Sequence, residues 1–551
     1  MPVIEFNKKD FENLLGFEVE ESQLETYFIP AKGELEDLNE DLVKVEISDS
    51  NRPDLWGVEG IVRELKAHLG LENSLLKYNF KKSDYLVNVS GLKGIRPKAS
   101  YCVVKNVNIT EDLLVSLINM QEKIAGTFGK KRKEIAIGIF DLDKINGKKL
   151  KYYGADKKTK FVPLGFTQAL TLEKILTEHK KGLEFGDLLK DFDKFPLLVD
   201  EKNEVLSMPP IINSNNSGRV ELDTKNLFVD ITGFEQEKVD VALLIFALAF
   251  ADRGAEVELV EINYLDENKK YLLDLKPLEM SFDKSKIYDY LGEKISDEQI
   301  VELLTRKNYF VEIKGDKINL KYPKYRQDIL HPVDVIEDLI IEYGYNILDP
   351  EKLNFYTTGK LLKETEFGNL VREICVGLGL QEIVTFTLTS KKKQYDNLGA
   401  KSIHTVELAN PMSESIAIFR EHLLPEVIEF LTKNQHISYP QNIFEYGRTL
   451  RVENNKVIEE NHLFVGLCAN KISYTDIKQR LDAFLKNIGA LNIKYTALDY
   501  PFCISKRSAK VTFELNNKTF EGVIGELSPK TLLNYGLNMP LACFEISLQR
   551  D

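Results

Sequence analysis

The chain of 551 residues is poor in cysteine: Cys102, Cys375, Cys468, Cys503 and Cys543 lie far apart, with no CxxC pair and an odd total. That argues against a disulfide framework or a zinc knuckle and for buried free thiols in a reducing cytoplasm. Long apolar runs are also missing. The longest, Val241 to Ala251, is roughly half of a bilayer span; it lies between Asp240 and Asp252 and reads as a buried helix. The N-terminal MPVIEFNKKDFENLLGF meets acid and base at once and has no signal-peptide core. No GxxxxGK[ST] loop occurs, Gly377-Leu378-Gly379 stops short of GxGxxG, and the histidines are scattered with no HxxxH pair. A P-loop enzyme, a Rossmann dehydrogenase and a zinc hydrolase are thereby set aside. Positive charge is in short supply too, 73 Lys and Arg against 86 Asp and Glu, a net charge of −13. That rules out a generally basic nucleic-acid coat but leaves room for a local basic track.

What is present is apolar and aromatic, with 43% hydrophobic residues, 30 Phe and 23 Tyr, too much for disorder. The length predicts roughly three to five domains, and the patterning predicts a multi-domain α+β protein. Residues 1–75 begin with a strand-like PVIEF and a helix-like FNKKDFENLLG. They end in a helix that Asp54 can cap, with Leu55, Val58, Ile61, Val62 and Leu65 at helical spacing. The polar ENSLLKYNFKKSDY follows as a linker. Over 83–265, β-branched segments alternate with the helices EDLLVSLINMQEKIAGTFG and KVDVALLIFALAFADRG, which suggests a sizeable mixed sheet. Residues 273–350 read as a strand LLDLKPLEMSF, two helices, a hairpin turning at Gly315-Asp316, and a closing helix. From 358 to 551 many strands recur, including QEIVTFTLTS and HTVELAN.

Two constellations and one charge run carry chemistry. Pro332 suits the first turn of a helix whose buried stripe is Val335, Ile336, Leu339, Ile340 and Tyr343. Asp334, Glu337 and Asp338 then share its other face, and Asp328 can approach the same end. Four clustered carboxylates suit a hard cation such as Mg²⁺; the same spacing suits a solvated acidic face favoured by the helix dipole. In LSMPPIINSNNSGRVELDTKNLFVDITG, Pro-Pro forces an extended turn, after which Asn213 and Ser214 sit beside a strand end. Asp230 and Thr232 share one strand face and, with Ser207, could line a polar cleft. No Ser-His-Asp order is evident, so hydrolysis there would use an oriented water and an oxyanion contact. A turn and strand with ordinary polar residues fit equally. The run Gly129-Lys130-Lys131-Arg132-Lys133 is either a phosphate contact or a solvated loop.

Several long motifs occur together and in order: SNRPDLWGVEGIVREL, AIGIFDLDKI, MPPIINS with DTKNLFVDITG, YRQDILHPVDVIEDLIIEYGYN, NPMSESIAIFREHLLPEVIEFLTKN, NIFEYGRTL and GVIGELSPKTLLNYGLNMPLACFEISL. With them the chain resembles the β subunits of phenylalanyl-tRNA synthetases of the archaeal and eukaryotic type, over essentially its whole length. The resemblance implies an α₂β₂ ligase whose α subunit joins phenylalanine to its tRNA with ATP. It implies four domains: an N-terminal domain over 1–75, a B-three/B-four editing domain over 83–265, a winged-helix-like B-five domain over 273–350 and a non-catalytic class II synthetase-like antiparallel-sheet domain over 358–551. In the last, Glu545 stands where a cation would hold the triphosphate. It implies an editing pocket of Ser207, Asn213, Asp230 and Thr232, with Leu198 as a wall, that hydrolyses Tyr-tRNA(Phe), and a magnesium site at Asp328, Asp334, Glu337 and Asp338. The alternative is a subunit that positions tRNA without editing. A cytoplasmic location and no membrane association complete the expectation.

Overall fold

Strands buried on both faces read as unbroken apolar runs, and Ile135–Asp141 and Leu227–Gly233 are buried along their whole length. The computed structural model describes residues 2–39, 41–73, 78, 80–350, 352–353, 356–401 and 405–550, with the backbone only at 549 and 550; all counts refer to these. The chain divides into two units, residues 1–351 and 352–551.

In the first unit, Val3–Asn7, Leu42–Ile47 and Gly33–Asn39 form a small antiparallel sheet. The largest sheet has ten strands and is mixed. Its central strand Lys81–Ser90 runs parallel to both Lys149–Asp156 and Glu256–Tyr264. Beyond these lie Lys98–Lys105, Leu227–Gly233 and Ile135–Asp141 on one side, and Lys194–Val199, Val205–Met208 and Ile212–Asn213 on the other. The helix Gln236–Asp252, buried from Val239 through Phe250, packs on Lys98–Lys105 and Leu227–Gly233. A third sheet, Leu278–Asp283, Lys317–Tyr322 and Phe310–Lys314, carries the helices Ser285–Leu291, Asp297–Thr305 and Pro332–Tyr343.

Several local expectations need correction. Asp54 caps nothing: the helix Val58–His68 starts after Gly57, and the buried Asp54 carboxylate accepts from Arg52 Nε at 2.9 Å and Nη2 at 2.8 Å. Gly60 makes this path possible, since a Cβ there would lie 1.7 Å from the Asp54 carbonyl oxygen. Of the expected linker, 74–77 and 79 lie outside the described residues, and 81–85 are strand. The strand expected from Leu272 begins at Leu278. The helix after Thr110 is α only through Lys123 and widens to a π-turn over Ile124–Phe128.

Buried ion pairs join the amino-terminal residues to the rest of this unit. Arg63 pairs with Asp252 at 2.6 Å, and Arg253 with Asp10 at 2.8 Å and Glu59 at 2.6 Å. A second network runs from Arg52 through Glu64 (3.2 Å) to Lys307 (2.7 Å). Beside it, Arg326 holds Asp328 at 2.7 Å and Asp338 at 2.6 Å, and Tyr309 donates to Asp338 at 2.8 Å. Burial alone would raise the Glu64 pKa, but Lys307 and Arg52 override it and hold the group at about 2.

The second unit is a seven-stranded sheet, antiparallel except that Gln381–Glu382 runs parallel to Gln441–Glu453. Lys363–Gly377 and Tyr474–Asn487 contribute to the core on one face, Leu424–Lys433 and Pro529–Tyr535 to that on the other. QEIVTFTLTS is strand only at Gln381–Glu382 and Leu388–Thr389, which leaves Val384 and Phe386 exposed. In HTVELAN, His404 lies outside the described residues, and Glu407 makes an isolated bridge to Ile418.

Truncating Arg326 would strand two carboxylates, one of them, Asp338, fully desolvated. Arg326→Ala is expected to lower unfolding free energy by about 3–5 kcal/mol, read by urea denaturation. A loss near zero would mean that water reaches Asp338.

Candidate functional site

The strand Leu227–Gly233 alternates its side chains, so Asp230 and Thr232 share a face. Across from Asp230 lie Gly138 on one neighbouring strand and Tyr101 on the other. Gly138 keeps space there: a Cβ would sit 2.7 Å from Phe140 Cζ and 3.3 Å from Asp230 Oδ2. Ser207 pairs in register with Asn213 across the Pro209-Pro210 turn. All four residues line one cavity of about 190 Å³, with Ile137, Leu164, Ile211 and Ile212 as apolar walls and Arg132 and Lys181 on its boundary. Leu198 is not a wall; it lies opposite Ser207 in the ladder and packs in the core with Tyr152 and Phe228.

The electrostatics are unusual for a folded interior. Ser207, Asp230 and Thr232 are buried, yet Ser207 Oγ and Asp230 Oδ1 have no hydrogen-bond partner among the described residues. Such orphans are rare because each carries a desolvation penalty of about 1–3 kcal/mol. Burial drives the Asp230 pKa up to about 8, with Arg96 opposing it only in part. At neutral pH the group is therefore mostly the neutral acid, able to donate as well as accept. The buried Arg96 directs its N–H groups elsewhere, Nε to Thr232 Oγ1 at 2.9 Å and Nη2 to the Thr232 carbonyl at 2.7 Å. Its Nη1 donates to the carbonyls of Arg132 (3.1 Å) and Lys133 (3.2 Å). Thr232 Oγ1 accepts from Arg96, and the hydroxyl also hydrogen-bonds with Tyr152. Arg96 and Gly138 went unnoticed in the sequence. Arg96 sits in an unremarked loop and Gly138 inside a strand, where only pairing reveals what it faces.

The acidic cluster does not assemble as spacing suggests. Asp338 is buried on the core side of its helix, and Arg326 is the cation between it and Asp328. Asp334 Oδ2 caps the helix, accepting from Leu330 N at 2.8 Å and His331 N at 2.7 Å. Glu337 is half exposed and pairs with Lys32 at 3.1 Å. Among the described residues no group of three or more His, Cys, Asp or Glu is placed to hold a metal. As a closed set of four, these carboxylates do not fit magnesium, since an arginine already neutralises two of them.

The second unit contains a larger cavity, of about 900 Å³, bounded by Glu460, His462 and Glu545. His462 donates toward both acids, at 2.8 Å to Glu545 and 3.3 Å to Glu460. Burial opposes its charge, but the two carboxylates raise its pKa to about 9. Glu545 also accepts from Leu423 N and Leu424 N at 3.0 Å. These polar groups satisfy one another, whereas those of the smaller cavity do not. Size favours the larger cavity; chemistry favours the smaller, and buried unpartnered donors and acceptors are the stronger sign of a ligand.

Three family models match the chain: the B3/4 domain over residues 98–252, the tRNA synthetase B5 domain over 280–345, and the phenylalanyl tRNA synthetase beta chain CLM domain over 353–548. Together they define a subunit of the aminoacyl-tRNA synthetase class. Among curated relatives, the phenylalanine–tRNA ligase beta subunit of Thermococcus kodakarensis is 40% identical, over 100% of this chain and 98% of the relative. That of Pyrococcus abyssi is 40% identical, over 100% and 99%. An N-terminal fragment of the phenylalanyl-tRNA synthetase beta subunit from Pyrococcus horikoshii superposes with a TM-score of 0.60 at 43% identity, covering 62% of this chain and 100% of the fragment. The chain belongs to the phenylalanine–tRNA ligase beta-subunit family. No helix among the described residues is long and apolar enough to cross a membrane.

Asp230 makes stability pH-dependent in a defined direction. Its folded pKa, about 8, lies above the ordinary 3.8. The folded state thus binds the proton more tightly, and stability is fullest at acid pH and is lost as pH rises toward 8. Asp230→Asn keeps a neutral group. It is expected to unfold at a higher temperature than the parent, by a margin that widens between pH 5 and pH 8. A margin independent of pH would place the Asp230 charge in contact with water.

Proposed function

We propose that this chain serves as the β subunit of a phenylalanine–tRNA ligase and hydrolyses tyrosine wrongly esterified to the phenylalanine tRNA. Phenylalanine activation with ATP takes place on an α subunit, in an α₂β₂ assembly in the cytoplasm. The observation that carries the editing role is the pair of orphaned buried atoms, Ser207 Oγ and Asp230 Oδ1, facing a cavity with apolar walls. The need is physical: an apolar synthetic pocket rejects one added hydroxyl only by about 100-fold. A pocket with an unpaired polar group reverses the preference. Asp230 exchanges a hydrogen bond with the tyrosyl hydroxyl, while phenylalanine would leave it unpaired. Ser207, Asn213 and Thr232 position the ester and the water. Water adds to the ester carbonyl, donors stabilise the oxyanion, and collapse expels the ribose hydroxyl and frees tyrosine. Among the described residues no base is hydrogen-bonded to Ser207 Oγ, which favours water over a serine nucleophile.

Residues 83–265 are the editing domain in this reading, with 1–75 beneath it and 273–350 as a winged-helix-like module. Residues 358–551 are a class II-like scaffold for the α subunit. Glu545, an ionised acid where a triphosphate would need a cation, supports a scaffold role. Exposed Val384, Phe386 and Met412 offer apolar surface for the partner. Asp334 and Glu337 are the two carboxylates not held by Arg326; a magnesium ion there would compete with Lys32 for Glu337, with water completing its shell.

Two measurements test these statements. In the complex with a phenylalanine-specific α subunit, Asp230→Ala is expected to charge phenylalanine normally and to let Tyr-tRNA accumulate at least tenfold. Unchanged hydrolysis of Tyr-tRNA would remove Asp230 from the mechanism, and no hydrolysis by the parent complex would leave a subunit that positions tRNA without editing. Asp334→Ala with Glu337→Ala is expected to lower the magnesium that the complex retains, read by elemental analysis; equal metal in both preparations would leave Asp334 as a helix cap and Glu337 as a partner of Lys32 only.

A further inference from the structure

The run Lys130-Lys131-Arg132-Lys133 is not an ordinary solvated loop. Lys130, Lys131 and Arg132 have φ of 48°, 53° and 64°, three consecutive residues in the left-handed region. Single left-handed residues are usual only for glycine or asparagine. Elsewhere this chain follows that habit: among the described residues, nine of the fourteen non-glycine positions with positive φ are asparagine. Here long cationic side chains stand in their place.

The turn is also fixed firmly. It follows the π-turn, and the N–H groups of Lys130, Lys131 and Arg132 donate back to the carbonyls of Thr127, Gly126 and Ala125. Gly129 has to be glycine, because a Cβ would lie 2.6 Å from the Ala125 oxygen and 2.7 Å from that of Ile135. Arg132 Nη1 donates to the carbonyls of Pro210 (3.2 Å) and Ile211 (3.1 Å), two wall residues of the cavity. Arg96 ties the Arg132 and Lys133 carbonyls to Thr232 on the cavity floor. The turn is therefore built as part of the cavity's edge.

Its charges are unevenly used. Lys130 pairs with Glu134, Arg132 with Glu122, and the neighbouring Lys181 with Glu184. Lys131 and Lys133 flank Arg132, are exposed, and have no ion-pair partner among the described residues. On a chain of net charge −13, two unneutralised cations on a backbone fixed beside a pocket select an anionic ligand that reaches inside.

We propose that Lys131 and Lys133 bind the phosphodiesters of the single-stranded RNA 3′ end whose terminal aminoacyl ester enters the cavity. This rests on the editing reading of the same cavity and adds the binding of the RNA backbone to it. Arg132 and Arg96 are positioning residues that hold the turn in place.

The test uses the α–β complex with Lys131→Ala/Lys133→Ala and, as a conservative partner, Lys131→Arg/Lys133→Arg. The probe is a short single-stranded RNA bearing tyrosine as a non-hydrolysable 3′ amide, titrated over a range of salt. The alanine pair is expected to bind about tenfold more weakly, with the log–log salt slope reduced by about 1.4, the value for two single-strand phosphates. The arginine pair should bind like the parent. Hydrolysis of Tyr-tRNA by the alanine pair should show a raised KM and an unchanged kcat. Equal affinity and slope in parent and alanine pair, or no binding of the probe by the parent, would overturn the proposal. Binding does not require turnover, so probe binding that depends on the two lysines, with no hydrolysis by the parent, would uphold the RNA contact and reject editing.

Discussion

One guanidinium organises the candidate site. Arg96 is buried, and its N–H groups reach the Thr232 hydroxyl, the Thr232 carbonyl and two carbonyls of the basic turn. Tyr152 in turn donates to the Arg96 carbonyl at 3.2 Å. A buried cation that meets carbonyls and a hydroxyl, with no hydrogen bond to the nearby acid, has two effects. It pins cavity floor to cavity edge through directional bonds, and it offsets the burial of Asp230 only in part. Burial then sets the acid's protonation, and a neutral carboxyl suits recognition of a phenol better than a carboxylate locked in a salt bridge.

The rest of the first unit provides a rigid frame for this arrangement. Gln236–Asp252 is apolar on every side because sheet and amino-terminal residues both cover it. Its end is fixed by Arg63 to Asp252 and Arg253 to Asp10 and Glu59. Farther along, Lys307 reaches Glu64 and the Pro30 carbonyl, tying the third sheet's helices to the amino-terminal residues. Buried pairs of this kind add little net stability, since desolvation offsets much of the attraction, but removing one partner strands the other's charge.

Much of the site could be read from the chain. Asp230 and Thr232 follow from strand alternation, and the Pro-Pro turn announces a break beside Ser207 and Asn213. Their convergence on one cavity could not be read, because it depends on the order of strands in the ten-stranded sheet. Leu198 shows the limit: it pairs in register with Ser207, yet its side chain belongs to the core. The acidic cluster shows another. Helical periodicity put Asp338 beside Asp334, but the decisive neighbour is Arg326, whose buried guanidinium turns the expected metal ligands into salt-bridge partners.

The amino-acid sequence by itself determined the mixed α/β character, most strands and helices, the free cysteines and the family, because these follow from local periodicity and from long motifs kept in order. Tertiary structure decided which acid is paired and which is left neutral, which glycine makes room for the pocket, and that the basic run is a fixed edge of it. Those outcomes depend on groups distant in the chain meeting in a low-dielectric interior, where a single contact sets a charge state and no local pattern records it.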